Sequence, residues 1–204
     1  MVQLVWDMDG TLVDSTVVVP QAFIAAVAEL GGPPVDAAAV VAAYSLGVPE
    51  VILAHLLQRP LRDGESEAYY RRLCGAHLDA HPGVLDTLAA LRARGHRIAV
   101  FTGAAVRGAR TLLEAAGVDV DVLVGGDLVE HPKPAPDGVR LAARLLGVPV
   151  EDVAYIGDAV VDLQAATAAG ACAVAAGWGH LHDPTAPADH TLDHPSDALA
   201  LLDH

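Results

Sequence analysis

The sequence predicts an α/β fold, a mostly parallel sheet with helices on both faces, interrupted once by a block of helices. Two observations predict it. From residue 81 onward short β-prone runs alternate with helical patterns, and the runs end at or just before glycines; from 16 to 80 that rhythm stops and helical segments are divided by Gly/Pro clusters.

The first element, Val2 to Trp6, is an apolar run that ends at Asp7 and Asp9, as expected of a buried parallel strand. In the interrupted stretch the expected helices are Ala22 to Leu30, Val51 to Leu57 and Ser66 to Leu78. They are divided by Gly31-Gly32-Pro33-Pro34, Gly47-Val48-Pro49 and Arg59-Pro60, and His81-Pro82-Gly83 returns the chain. The expected domains are therefore 1–15 with 81–204 as the core and 16–80 as a helical insertion.

Beyond it, a helix through Leu85, Leu88 and Leu91 stops at Gly95, and a strand from Arg97 to Phe101 meets Thr102-Gly103. A helix from Thr111 to Ala116 stops at Gly117, a strand from Val120 to Val124 meets Gly125-Gly126, and a helix from Leu141 to Leu146 stops at Gly147. The last expected strands are Val153 to Ile156, before Gly157-Asp158, and Ala171 to Ala175. Five such strands joined by right-handed crossovers make a Rossmann-like three-layer sandwich. The tail from His180 is rich in Pro, His and Asp, with a short surface helix expected at Ala198 to Leu202.

Composition narrows the function. The hydrophobic fraction is 53% with 4% aromatics, so the core is mainly aliphatic. A net charge of −14, from 26 acidic and 12 basic residues, argues against nucleic acid, whose affinity rests on Lys and Arg neutralising phosphates. Cys74 and Cys172 form no Cys-x-x-Cys pair and are expected to be buried thiols of a reducing compartment. The first apolar run is too short for a signal peptide or a membrane span, so a soluble, cytoplasmic protein is expected. Proline follows both His77/His81 and His190/His194, which argues against a shared helical zinc-binding face.

In open parallel sheets ligands bind beyond the carboxyl ends of the strands, where this sequence puts Asp7, Asp9, Thr102, Gly103, Asp158 and Asp162. Asp-x-Asp-Gly-Thr arises by chance in roughly 10⁻³ of chains of this length. A phosphate ester repels nucleophiles, so a carboxylate nucleophile, Asp7, needs a cation. Asp7 and Asp158 can share one Mg²⁺, with the carbonyl of Asp9 as a further oxygen. The Asp9 side chain, off the metal, serves as acid and then base. Gly10 permits a tight turn around the phosphate, and Thr102-Gly103 offers a hydroxyl and an N–H to it.

Lys133, the one lysine of the chain, stands between prolines and suits a phosphate oxygen near Asp7. Asp162, about one helical turn past Asp158, is read as a support behind the metal or a plain acid at a helix start. Arg59, Arg62, Arg71 and Arg72 are candidates to read a carboxylate or a second phosphate, but solvated arginines on the surface of the insertion are the preferred reading.

With these pieces in order, Asp7 to Ser15, Phe101-Thr102-Gly103, Lys133-Pro134 and Gly157 to Asp162, the chain resembles the haloacid dehalogenase superfamily. The likeness is strongest to phosphoglycolate-phosphatase-like and β-phosphoglucomutase-like members with a helical cap. The resemblance implies a central nucleophile strand, Mg²⁺, a cap closing over the substrate, and hydrolysis of a small phosphorylated metabolite through an aspartyl-phosphate. Asp9 is the acid that dehalogenating members lack. Ala159 departs from the Ser or Thr of many relatives. The alternatives are a phosphotransferase using the same residues and a non-catalytic binding module, which would be expected to lose some of them.

Overall fold

A computed structural model describes residues 2–203. Its six strands are β1 (Gln3–Trp6), β2 (Ala99–Phe101), β3 (Val122–Val124), β4 (Val153–Gly157), β5 (Cys172–Ala176) and β6 (His190–Leu192). They lie in the order β3-β2-β1-β4-β5-β6, every neighbouring pair parallel. Val5 is level with Ala99 and Tyr155, and Trp6 with Val100 and Ile156, so β1, β2 and β4 end together. The chain steps from β1 out to β3 and then resumes at β4 on the other side of β1. The crevice of an open α/β sheet lies at that reversal.

Side chains alternate across the sheet with the period of two that a strand imposes. Leu4, Trp6, Val100, Ile156 and Val174 enter one core with Leu88 and Leu91 of α5 (Val84–Ala93) and Ala109 and Leu112 of α6 (Val106–Ala115). Val5, Ala99, Phe101, Tyr155 and Ala173 enter the other, covered by Val139 and Ala142 of α7 (Asp137–Leu146) and Leu163 and Ala166 of α8 (Val160–Ala169). The result is the expected three-layer sandwich with β1 central.

Between β1 and α5 the chain forms α1 (Val18–Glu29), α2 (Ala37–Ala43), a 3₁₀ turn (Tyr44–Leu46), α3 (Pro49–Leu56) and α4 (Glu67–Leu73). Phe23 of α1 stacks on Tyr69 of α4 with ring centroids 4.2 Å apart. The outgoing and returning segments run side by side: Val13 pairs antiparallel with Ala80, and His81 N donates to Leu12 O at 2.9 Å. No helix among the described residues is long and apolar enough to cross a membrane.

Five expectations need correction. A sixth strand exists: β6 reads His-Thr-Leu with only Leu192 buried, so this edge strand shows no apolar run. Helix α2 was not expected because its Ala/Val sequence has no polar face to give it a period; Asp36 caps it by accepting from Ala39 N at 2.8 Å. The helix expected to reach Leu78 stops at Leu73, which leaves Cys74 exposed, and Cys172 is only half-buried at the start of β5, so neither thiol is a core residue. The tail helix is of the 3₁₀ type and longer than expected, Pro195–Asp203; it packs on α5 through the fully buried Ala198 and leaves Ser196, Asp197 and Ala200 exposed.

Candidate active site

The tip of β1 is extended by one ladder bond, Asp7 N to Ile156 O at 2.7 Å, which sets Asp7 beside the end of β4. The chain then coils tightly: the N–H groups of Leu12 and Val13 both reach Met8 O, at 2.9 and 3.0 Å, and Gly10 adopts φ 81°. A Cβ on Gly10 would stand 2.8 Å from both Asp158 Cγ and His180 Nδ1, so glycine is needed there for space as well as for φ. Gly179 also approaches Asp158, and a Cβ there would meet Asp158 Cγ at 2.6 Å. Two glycine backbones therefore line the carboxylate closely.

Asp7, Asp158 and Asp162 are buried, and each turns one oxygen into a space where the three atoms lie within 4.8 Å of one another. Lys133 closes this group, with Nζ 2.5 Å from Asp7 Oδ1 and 2.7 Å from Asp162 Oδ1. The ammonium also stands over the rings of Phe101 and Tyr155, 4.9 and 5.4 Å from their centroids. Tyr155 OH lies 2.9 Å from Phe101 O and 3.3 Å from Asp162 Oδ1, and Asp162 Oδ2 accepts from Ala159 N at 3.0 Å. Both oxygens of Asp162 are thus engaged by protein, which fits a support for Lys133.

Asp9 turns elsewhere. Its Oδ1 accepts from Ser15 Oγ at 2.5 Å, and its Oδ2 is 3.4 Å from Thr102 Oγ1. The Asp9 carboxylate therefore stands apart from the three clustered ones. Thr102 is fully buried, whereas Gly103 is exposed with open space around it.

Burial pushes the Asp7 carboxyl well above the usual carboxylate range, helped by the charge of Asp162 and opposed by Lys133. Burial also lifts Asp9, against the Ser15 hydrogen bond, and Asp158, against the N–H of Leu181. Burial alone would lower the Lys133 ammonium, but the carboxylates of Asp162 and Asp7 outweigh it and hold Lys133 above its ordinary value. Lys133 stays charged.

Oxygen donors grouped in this way suit a hard divalent cation. Asp158 Oδ1 is buried with no hydrogen-bond partner, while its Oδ2 accepts from Leu181 N at 2.9 Å. A carboxylate oxygen aimed into a cluster of acids, and otherwise unsatisfied, fits Mg²⁺ at this point.

Asp7, Asp9, Gly10, Thr102, Gly103, Asp158 and Asp162 lie at or just past the tips of β1, β2 and β4, and Lys133 reaches Asp7 and Asp162 from the loop before α7, whereas Arg59 pairs with Glu65 and Arg71 and Arg72 with Glu29 in the insertion. Three participants carried no such signal. Tyr155 lies inside a strand, Ser15 sits at the end of the first motif with an ordinary hydroxyl, and His180, 3.7 Å from Asp158 Oδ2, comes from the irregular tail. The histidine pairs make no cluster with acidic or sulfur ligands among the described residues.

The chain is similar to known proteins along most of its length. The model of the haloacid dehalogenase-like hydrolase family matches residues 3–170. A probable phosphatase, IndB, of Dickeya dadantii is 35% identical over 86% of this chain and 81% of its own. A plasmid-encoded phosphoglycolate phosphatase of Cupriavidus necator is 33% identical over 96% of this chain and 90% of its own. Among solved structures, CbbY from Rhodobacter sphaeroides in complex with phosphate superimposes with a TM-score of 0.83 at 26% identity, covering 100% of both chains.

Proposed function

The chain belongs to the haloacid dehalogenase-like hydrolases and is a phosphatase of that family; on that premise we propose that it hydrolyses a small phosphomonoester through a phosphate carried on Asp7. The observation that supports this most is the division of partners between two carboxylates two residues apart. Asp7 faces Lys133 beside Asp158, while Asp9 is held by Ser15 and Thr102. Different surroundings give two like groups different roles.

Asp7, ionised beside Lys133, attacks phosphorus, the bond from phosphorus to the alcohol oxygen breaks, and Asp9 in its protonated form gives that proton to the leaving oxygen. Asp9 then takes a proton from water, the water oxygen bonds to phosphorus, and the bond from phosphorus to Asp7 breaks. Inorganic phosphate leaves with Asp7 and the protonated Asp9 restored. Lys133, Thr102 Oγ1 and the N–H of Gly103 hold phosphate oxygens in this scheme, and Asp162 keeps Lys133 in position. Mg²⁺ bound by Asp7 and Asp158, with the main-chain carbonyl of Asp9 as a further oxygen, would supply positive charge that offsets the repulsion between Asp7 and the phosphate. Residues 16–80 act as a cap over a core of 1–15 and 81–204, excluding water during transfer.

Phosphate release from a panel of phosphomonoesters, with Mg²⁺ and with chelator, tests this. Release should require Mg²⁺, vanish in Asp7→Asn and fall by about 10²–10⁴-fold in Asp9→Asn. Release that survives Asp7→Asn would remove the covalent route, and transfer to a sugar phosphate in place of release would make the protein a phosphotransferase.

A further inference from the structure

Building on the proposed binding of Mg²⁺ by Asp7 and Asp158, we infer that the loop after β5, residues 177–182, is a working part of the metal site. The main-chain N–H of Leu181 orients Asp158, and Trp178 is a positioning residue that ties this loop to the turn carrying Asp7 and Asp9.

Strand register puts the loop there. Ala175 of β5 is level with Gly157 of β4, so the chain leaves β5 next to Asp158. Two glycines let it stay close. Gly177 N donates to Leu192 O at 2.8 Å, and a Cβ on Gly177 would stand 2.8 Å from that same oxygen. A Cβ on Gly179 would stand 2.1 Å from Asp158 Cβ. The polar edge strand β6 is thus the outer anchor of the loop.

Two successive turns, Gly179 N to Ala176 O at 3.1 Å and His182 N to Gly179 O at 3.3 Å, bring Leu181 N to Asp158, where it donates to Oδ2 at 2.9 Å. The Leu181 side chain is 52% exposed, so packing does not set this position. His180 Nδ1 faces the same oxygen at 3.7 Å. With Oδ2 engaged by the loop, Oδ1, buried and without a partner, is the oxygen left for a cation.

Trp178 supplies the second hold. Its ring packs against the core, and its Nε1 donates to Thr11 O at 2.9 Å, a contact spanning 167 positions. Thr11 follows Gly10 in the turn where the N–H groups of Leu12 and Val13 reach Met8 O. One short loop therefore grips Asp158 and the turn that begins at Asp7, and so fixes the spacing of the two carboxylates that would share the ion. An indole N–H only donates, so phenylalanine keeps an aromatic ring and deletes the tie.

Calorimetric titration of the full-length protein with Mg²⁺ alone tests this in the wild type, Trp178→Phe, Leu181→Pro, Asp158→Asn and Gly95→Ala, alongside melts of the metal-free proteins. The Kd for Mg²⁺ should rise about tenfold in Trp178→Phe and about 10–100-fold in Leu181→Pro, which lacks the N–H. The Mg²⁺ concentration giving half-maximal phosphate release should rise by the same factor in each, and excess Mg²⁺ should restore the rate. Gly95→Ala, strained before the far end of β2, should lose Tm and keep the wild-type Kd. A Trp178→Phe protein with a lower metal-free Tm and an unchanged Kd has lost structure alone, which overturns the role of Trp178. An unchanged Kd in Leu181→Pro overturns the role of the loop N–H; where that variant shows no cooperative melt, Trp178→Phe decides for the loop. Wild-type affinity in Asp158→Asn places the cation elsewhere and overturns the proposed metal site together with this inference.

Discussion

Lys133 Nζ lies 2.5 Å from Asp7 Oδ1, so the one lysine of the chain is the counter-ion of the candidate nucleophile 126 positions away. The pair joins the loop before α7 to the tip of β1, and Asp162 shares the same ammonium at 2.7 Å. Removing a buried cation from between carboxylates leaves them uncompensated. Lys133→Ala should lower kcat by about 10²–10³-fold. Lys133→Arg should not restore it, because a planar guanidinium is bulkier than the ammonium that fits between Asp7 Oδ1 and Asp162 Oδ1 at 2.5 and 2.7 Å. Steady-state phosphate release decides; a near-wild-type rate in either variant would remove Lys133 from the machinery.

Without cation, the contribution of Asp7, Asp9 and Asp158 to stability should fall as pH rises, opposite in sign to that of Glu65, which its ion pair with Arg59 holds down at about 2. Burial lifts Asp7, Asp9 and Asp158 above the ordinary 3.8, so the folded chain binds these protons more tightly than the unfolded chain. Their contribution is fully present below pH 3.8 and is lost as pH climbs through the raised folded values. Mg²⁺ competes with the same protons, so the Tm increase it produces should be larger at pH 7.5 than at pH 5 and should disappear in Asp158→Asn. Thermal melts with Mg²⁺ and with chelator at both pH values measure it; an equal increase at the two pH values would place the cation elsewhere.

Tyr155→Phe keeps the ring under Lys133 and removes the hydroxyl shared by Phe101 O and Asp162 Oδ1. Leaving buried acceptors without that donor should cost about 1–3 kcal/mol. Tm should fall by about 2–4 °C for each kcal/mol. kcat should fall more than KM changes, since Asp162 then holds Lys133 less firmly.

Gly10→Ala should be more damaging than Gly95→Ala, although the two glycines have nearly the same φ, 81° and 82°. Gly95 has open space, so a methyl group there meets only the backbone strain of about 1–3 kcal/mol. At Gly10 the methyl group also displaces Asp158 and His180, so the Mg²⁺-dependent rise in Tm should be lost along with activity. Comparing melts and rates of the two variants separates strain from displacement.

The parallel sheet and its order of elements were legible because β1 to β5 are short apolar runs closed by acidic or glycine turns, and α5, α6 and α7 show apolar helical patterns that stop at glycine. Elements without that contrast were not: β6 is a polar edge strand, and α2 is apolar on every side. The site was legible where chemistry and strand tip coincide, at Asp7, Asp9, Thr102 and Asp158. Tyr155 was hidden because a buried tyrosine in a strand looks like core, and its hydroxyl contacts lie 54 residues away at Phe101 as well as at Asp162.

By itself, then, the sequence determined which groups can act: two acids and a glycine after the first strand, a Thr-Gly pair after the second, one lysine between prolines, and an acid at the start of α8. Composition, periodicity and local turns are short-range properties that a linear reading captures. Only the tertiary structure decided which acid faces which partner. It set Asp7 against Lys133, turned Asp9 toward Ser15, engaged both oxygens of Asp162, and left Asp158 Oδ1 without a partner. Those assignments depend on burial and on distances of a few ångströms between residues far apart in the chain, and both arise only when β1, β2 and β4 pair in register.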